Sequence, residues 1–376
     1  MKRWLLVATL AGCGSDPQPP HALGMNDVSI LMPLPTDATV PVLTGLFDQA
    51  VPLADPIWFD AMVFTRGDLG SKEHDYFNDH SFHVVAVRVD LCDRVAATPC
   101  PDGVDGRLRL VAQPIVVSST GSIKVLDIGV HLFYPIPAAD LADVIDELRE
   151  LAAIQATPDG PLHVSLAAAA GSAEYLTRLR ALVLRYATAA NLVRFTANGQ
   201  KATSVGNSWL FRQLDRSTDG INYDMALIPN ANAYEQDALL QGGDTSYVSD
   251  QVTDTPHGFA NAIDGLAFMA ATPADQAASV DAIAAMENPT LHDAFDTQCL
   301  GCHVGSYIGS YRATELGIDP ATSPSWYYSS HDLTVPASSP TSIRGFGYFG
   351  TDAVISQAVA NETANVLDEI SARSTF

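Results

Sequence analysis

The sequence predicts an α+β protein, in which a domain of mostly antiparallel sheet with packed helices is followed by a mainly α-helical domain. Segments rich in β-branched and aromatic residues, separated by turns such as Pro101-Asp102-Gly103, occupy the first part of the chain. Two amphipathic helices interrupt these strand signals, which fade near residue 230. The 376 residues, 47% of them apolar, are enough to form buried cores in both parts.

The first part, residues 26–230, is expected to contain eight strands and two helices. The helices are predicted at 138–153 and 173–187, where leucine and valine recur on one face, as Leu141, Ile145 and Leu148 do in the first. The expected strands lie at 28–34, 82–91, 108–117, 122–134, 162–166, 192–197, 208–214 and 221–228.

The second part, residues 231–376, is expected to form short helices joined by loops rich in proline, glycine, serine and aspartate. Thr272 followed by Pro273 is typical of an N-cap and a first-turn proline, and this pair predicts a helix that ends at about Met286. A last helix is expected to be capped by Thr351 and to carry Ile355 on its apolar face.

The beginning of the chain resembles the export signal of a bacterial lipoprotein. Lys2 and Arg3 precede an apolar stretch that is too short to span a bilayer. Leu10-Ala11-Gly12-Cys13 then resembles a lipobox, whose cysteine receives a lipid. We therefore expect residues 1–12 to be a signal peptide, residues 13–25 a tether, and Cys13 the membrane anchor. An ordinary signal peptide containing a cysteine is the alternative. In the lipoprotein interpretation, Gly14 favours the outer membrane, facing the periplasm or the cell surface.

Charge and the remaining cysteines restrict the function classes further. The chain has 43 acidic and 20 basic side chains and a formal net charge of −23, which disfavours binding to nucleic acid. Cys92 and Cys100 flank a short loop, so a local disulfide is expected in an oxidising compartment. Two free thiols at these positions are the alternative.

The run Cys299-Leu300-Gly301-Cys302-His303 is the most specific motif of the sequence. In an exported protein, CxxCH is the attachment signature of c-type haem. Two thiols in one helical turn can reach the two vinyl groups of a porphyrin, and the adjacent histidine can supply a nitrogen to the iron. The run resembles the attachment site of c-type cytochromes. This resemblance implies one covalent haem c and a cytochrome c-like helical domain.

A redox CxxC, a zinc site and a structural disulfide are the other interpretations of the same cysteines. A thioredoxin-like motif should lie within a βαβ pattern, which the sequence does not show around Cys299. A zinc site needs further ligands, and no second CxxC or HxxxH group is present.

The second axial ligand of the iron stays open at this point. Small class I cytochromes use a methionine downstream of the motif, whereas all seven methionines here lie upstream, the last being Met286. His292 resembles the distal histidine that multihaem cytochromes often place a few residues ahead of CxxCH, and it is the expected ligand. His331, Met286 and an open position are the alternatives. A histidine pair is typical of a low-potential electron carrier, and methionine raises the potential.

The segment after the motif is expected to pack against the porphyrin. It is rich in aromatic side chains, which suit a large apolar plate. Arg344 and Arg312 are candidate partners of the haem propionates, because a guanidinium pairs with a carboxylate through two hydrogen bonds. Residues 287–376 also resemble single-haem lipoproteins of bacteria.

Together these resemblances imply an envelope-located, membrane-anchored electron-transfer protein with a redox partner protein. No GxSxG motif, phosphate loop or paired-carboxylate motif stands out, so an electron carrier is expected ahead of an enzyme. A ligand-binding or sensory lipoprotein with an accessory haem is one alternative. A monohaem oxidoreductase with an open iron is the other.

Overall fold

The computed structural model describes most of the chain outside the first residues and several internal segments. The described residues are 22–35, 82–92, 101–117, 121–125, 128–155, 160–200, 208–220, 223–231, 233–241, 246–249, 251–292, 297–336, 343 and 345–373. Cys13, Cys100 and Arg344 lie outside them. The lipid anchor, the disulfide of Cys92 and the propionate contact of Arg344 therefore remain predictions.

A ten-stranded antiparallel sheet forms the centre of the molecule. Its strands follow the order β1-β2-β3-β5-β6-β7-β9-β10, while β4 pairs with β3 and β8 pairs with β7. The strands of this sheet are β1 (Ser29–Leu31), β2 (Phe82–Leu91), β3 (Val104–Val117), β4 (Ile123–Val125), β5 (Gly129–Pro137), β6 (Arg194–Gln200), β7 (Ser208–Arg216), β8 (Tyr223–Met225), β9 (Glu235–Gln241) and β10 (Ser246–Val248). A separate hairpin is formed by β11 (Phe346–Phe349) and β12 (Asp352–Ile355).

Helices cover both faces of the sheet. In chain order they are α1 (Met25–Val28), α2 (Leu141–Gln155), α3 (Leu166–Ala169), α4 (Ala173–Tyr186), α5 (Phe259–Ile263), α6 (Gly265–Ala270), α7 (Pro273–Met286), α8 (Cys299–Leu316) and α9 (Gln357–Ala372). A 3₁₀ turn lies at Pro320–Thr322. Among the described residues, no helix has the length and apolarity that a bilayer crossing requires. The predicted combination of an antiparallel sheet with several helices is confirmed.

The first face of the sheet is apolar and packs against α2 and α4. Because side chains alternate along a strand, Leu132 and Tyr134 of β5 point to this face. They join Leu148 of α2 and Leu179 of α4 in a large core in which each of these four side chains is at most 1% exposed. The helices thus bury the leucine stripes from which they were predicted.

The second face carries more polar side chains and packs against the C-terminal helices. Trp209 and Phe211 of β7 form a second core with Ile283 of α7 and with Leu300 and Val304 of α8. Two strands that the sequence did not predict, β9 and β10, extend the same sheet beyond residue 230. The helical region therefore shares a core with the sheet.

Local signals predicted several elements closely. Strand β2 spans the predicted 82–91. Helix α7 ends at Met286, and the Thr272 side chain accepts a hydrogen bond from the backbone nitrogen of Asp275 (3.2 Å), as the capping pattern predicts. The predicted strand 122–134 contains a break, since β4 and β5 are separate strands.

The predicted cap of the last helix and one predicted strand were wrong. Helix α9 begins after Ser356, whose hydroxyl accepts a hydrogen bond from Val359, and not after Thr351. Ile355 lies in β12 because it pairs with Phe346 of β11. In the predicted strand 162–166, only a single bridge from Val164 to Leu31 forms before α3 begins.

Candidate haem-attachment site

The CxxCH motif opens α8, and buried glutamines fix the position of this first turn. The Oε1 atom of Gln236 on β9 accepts a hydrogen bond from the backbone nitrogen of Leu300 (3.0 Å). The Nε2 atom of Gln236 donates to Oε1 of Gln298 (3.0 Å). Gln298 in turn donates to the carbonyls of Thr253 and Thr255 (both 3.2 Å). A strand of the sheet therefore supplies the cap that the helix start needs.

The three residues of the motif that carry chemistry lie on one side of α8. At 100° per residue, Cys299, Cys302 and His303 fall within about one third of the helix circumference. All three are half-buried, whereas Leu300 and Val304, on another side of the helix, are fully buried. Neither cysteine of the motif is in a disulfide. Both thiols and the imidazole are therefore presented toward the same space.

A backbone carbonyl orients the imidazole of His303. Its Nδ1 atom lies 2.5 Å from the carbonyl oxygen of Ile343. Because a carbonyl can only accept, Nδ1 carries a proton, and in the neutral ring the lone pair is then on Nε2. Histidines that bind metals are held in this way, with the second ring nitrogen donating to a carbonyl or a carboxylate.

The side of α8 that carries the motif faces the sheet. The His303 ring lies 5.0 Å from the Phe211 ring on β7 and 5.9 Å from the His131 ring on β5, measured between centroids. The guanidinium of Arg109 on β3 interacts electrostatically with Cys302. The candidate site therefore lies between α8 and the second face of the sheet.

The environment of Cys299 differs from that of a reactive thiol. Burial raises the pKa of this thiol to about 12. Catalytic cysteines of redox CxxC motifs have pKa values lowered below that of a free thiol, because the thiolate is the nucleophile. The Cys299 environment thus differs from the surroundings that lower the thiol pKa in redox CxxC motifs.

Met286 packs against α8 on the side opposite the motif. A Cβ atom added to Gly301 would lie 1.9 Å from Cε and 3.0 Å from Sδ of Met286. Gly301 is about 160° around the helix from His303, given 100° per residue. The Met286 side chain, 6% exposed, is therefore a core residue that joins α7 to α8.

The two histidines expected as distal ligands lie in other surroundings. His292 is half-buried just after α7, where its backbone nitrogen donates to the carbonyl of Asn288 (3.0 Å). Residues 293–296, which join it to the motif, lie outside the described residues. Nε2 of His331 lies 3.6 Å from the Asp368 carboxylate on α9. The histidine ring that the structure brings against His303 is that of His131.

Arg312 and several of the predicted wall aromatics take part in packing elsewhere. Arg312 is 1% exposed, donates to the carbonyl of Ala262 (3.0 Å) and lies over the Phe268 ring at 4.5 Å. It projects from the buried side of α8, away from His303. Tyr348 is buried in the first core and its hydroxyl donates to the carbonyl of Met32 (2.6 Å).

Sequence analysis missed His131 and Phe211, although the sequence contained a usable signal. His131 interrupts an otherwise apolar strand at a position that alternation assigns to the face opposite Leu132 and Tyr134. A polar side chain on the second face of a buried sheet indicates a site or a crevice. The sequence could not say which later segment would cover that face.

A buried carboxyl lies farther along α8. Glu287 accepts a hydrogen bond from the Ser306 hydroxyl (2.5 Å), and burial raises its pKa to about 7. Both side chains line a cavity of about 200 Å³ that also contacts Trp326. Among the described residues, no group of three or more histidine, cysteine, aspartate or glutamate side chains is arranged to hold a metal ion.

Comparison of the chain with protein-family models, with curated proteins and with solved structures gives no match.

Proposed function

We propose that this protein is an exported, membrane-anchored c-type cytochrome that transfers electrons through one covalently attached haem. Cys299 and Cys302 would hold the haem, and His303 would be its first axial ligand. The observation that carries the proposal is the Nδ1 hydrogen bond of His303 to Ile343, which orients the imidazole at the start of a CxxCH helix in the way that metal-binding histidines are oriented. Attached haem supplies a one-electron iron couple.

The residues at the site fit this group. The two thiols lie on the same side of the helix as the imidazole, and both cysteines are half-buried residues. Attachment adds each S–H across one vinyl group, so that the sulfur gains a carbon and the proton ends on the other vinyl carbon. No oxidant is needed for that step.

The prediction of a cytochrome c-like helical domain belongs to the same proposal. Residues 231–376 would act as a cytochrome c-like haem module through α7 and α8. This module differs from a free-standing helical cytochrome because α8 and β7 share a core. The sheet would then form one wall of the haem site, and residues 26–230 would contribute to the site as well as to any docking surface.

The proposed cellular location and the proposed redox partner rest on features of the sequence. Cys13 would anchor the chain to the membrane through lipid, with the outer membrane as the favoured location. A disulfide between Cys92 and Cys100 would suit the oxidising compartment. The net charge of −23 favours a redox partner with a positively charged docking surface.

The proposal is tested on the full chain produced in a host that attaches c-type haem. The pyridine haemochrome spectrum of the denatured protein should report one covalent haem per chain. Cys299→Ala/Cys302→Ala should carry none. As the matched control, Cys92→Ala/Cys100→Ala removes the same number of cysteines and should retain the haem. A wild-type chain without covalent haem would contradict the proposal.

A second measurement separates a carrier from an oxidoreductase or a gas-binding protein. A six-coordinate carrier should give a low-spin spectrum in both oxidation states. Rapid, stoichiometric binding of carbon monoxide by the ferrous protein would show an open position on the iron. That result would contradict the carrier and favour the alternative with an open site.

A further inference from the structure

The second face of the sheet is less completely covered at His131 than at the neighbouring positions of the same strand. β5 is a central strand, paired with β3 on one side and β6 on the other. His131 is half-buried although Val130 and Leu132 on either side of it are 0% exposed. Its register partner on β6, Thr196, is half-buried as well. Solvent therefore reaches the second face of the sheet at this point.

The motif of α8 faces the same part of the sheet. The half-buried ring of His303 faces the half-buried ring of His131, with 5.9 Å between the centroids. Fe–N bonds of about 2 Å and a ring radius of about 1 Å place two axial imidazole centres about 6 Å apart. Axial rings can be rotated about their common axis by any angle, so the observed angle of 55° fits this arrangement.

We infer that His131 is the second axial ligand of the haem, which would lie between α8 and strands β5 to β7. This inference rests on the proposed function and names the ligand that the motif leaves open. It replaces the sequence-based expectation of His292. His131 comes from a rigid central strand, whereas His292 follows the end of α7 and reaches the motif through residues 293–296.

The surroundings of His131 support a haem contact. Phe211 on β7 lies 5.0 Å from the His303 ring and provides an aromatic wall on the same face. On β3, Arg109 of that face lies 5.2 Å from the Phe133 ring and interacts with Cys302. The sheet face opposite the motif thus combines an imidazole, an aromatic ring and a guanidinium. Two imidazole ligands are typical of low-potential carriers.

The inference is tested by comparing His131→Ala, His292→Ala and His331→Ala in the full, haem-loaded chain. His131→Ala should keep its covalent haem but change from low spin to high spin and bind carbon monoxide when ferrous. Added imidazole should restore the low-spin spectrum of this variant. The other two variants should keep the wild-type spectrum. Electronic absorption and electron paramagnetic resonance report the spin state without any assay of electron transfer.

His131→Met provides a second test if His131→Ala does not fold. Methionine can also bind the iron, so this variant should remain six-coordinate with a higher reduction potential. A His131 variant with covalent haem and an unchanged low-spin spectrum would overturn the inference alone, most directly if His292→Ala became high spin. Absence of covalent haem from the wild-type chain would overturn the proposed function and, with it, the inference.

Discussion

The Nδ1 partner of His303 is the uncharged carbonyl of Ile343. A carboxylate at this position would increase the basicity of the imidazole and favour the ferric iron, whereas a carbonyl does so less strongly. The carbonyl therefore sets the orientation of the His303 ring without adding a negative charge beside it. The atom that orients this ring belongs to a residue about forty positions away in the chain.

Glu287 provides a prediction about pH at the scale of one residue. Its pKa is raised from 4.5 to about 7, so the folded state holds the proton more tightly than the unfolded state. This proton stabilises the fold below pH 4.5, and the contribution is lost as the pH rises from 4.5 through 7. Glu287→Gln cannot titrate. As the pH rises over that interval, wild type should therefore lose about 3 kcal/mol more free energy of unfolding than the variant loses.

Urea unfolding at pH 4.5 and pH 8 measures this difference. Glu174→Gln is the matched control, since its side chain is 65% exposed and makes only a surface ion pair. For the control, the difference from wild type should stay within about 1 kcal/mol at both pH values. If Glu287→Gln and wild type lost stability in parallel, the carboxyl would not be protonated in the folded protein.

At the scale of elements, a row of glycines allows α7 to approach α8 closely. Gly301, Gly305 and Gly309 recur every fourth residue on the side of α8 that faces α7. A Cβ atom on Gly309 would lie 2.5 Å from Cγ2 of Ile283. Ile283 is β-branched and 2% exposed, so it has little freedom to move aside.

Gly309→Ala should therefore destabilise the protein by about 1–3 kcal/mol through overpacking. This loss is expected even though alanine is favoured over glycine in a helix by about 1 kcal/mol. Ser310→Ala is exposed on the next position and should change stability by less than about 0.5 kcal/mol. Thermal unfolding of the two variants makes the comparison, and equal midpoints would contradict close packing of the helices.

The link between β9 and α8 gives a second prediction at this scale. Gln236→Leu would leave the Leu300 nitrogen and the Gln298 side chain without their partner in a buried environment. The expected loss is about 1–3 kcal/mol in free energy of unfolding, together with a lower haem content because the motif is less well positioned. Tyr234→Phe, just before the same strand, changes a side chain that is 54% exposed and should preserve both quantities. Normal haem content and stability in Gln236→Leu would show that the position of α8 does not depend on the hydrogen bonds of Gln236.

At the scale of the whole molecule, sequence reasoning succeeded where the deciding interactions are local. The cap of α7 at Thr272 and the helical turn of CxxCH depend on residues within a few positions. Thr351 failed as a cap because the β11–β12 pairing competed for the same segment and left Ser356 to start α9. His131 and Gln236 could not be assigned to the site, since only the strand order of the sheet brings them to α8.

A buried ionic network joins α9 to strands β2 and β3 of the sheet. Arg109 pairs with Asp90 (2.7 Å) on the sheet, and Arg88 pairs with Glu362 of α9 (2.9 Å). Burial alone would raise the pKa of Asp90, but the guanidiniums of Arg109 and Arg88 outweigh it and hold the pKa below its usual value. Because both arginines are buried, their charges depend on these carboxylates. The network ties the predicted helical part to the predicted sheet part.

This network predicts that the chain unfolds as one unit. Glu362→Gln removes a carboxylate from the side chain of Arg88, which is 1% exposed, and should cost about 3 kcal/mol in free energy of unfolding. Far-UV circular dichroism reports the sheet and helices, and haem absorbance reports the site around α8. In a single cooperative unit both signals shift to the same lower urea midpoint. Glu369→Gln, on the same helix and in a pair with Arg373 nearer the surface, should shift neither signal by more than about 1 kcal/mol. If the two parts were independent domains, Glu362→Gln would move the haem signal and leave a separate transition of the sheet in place.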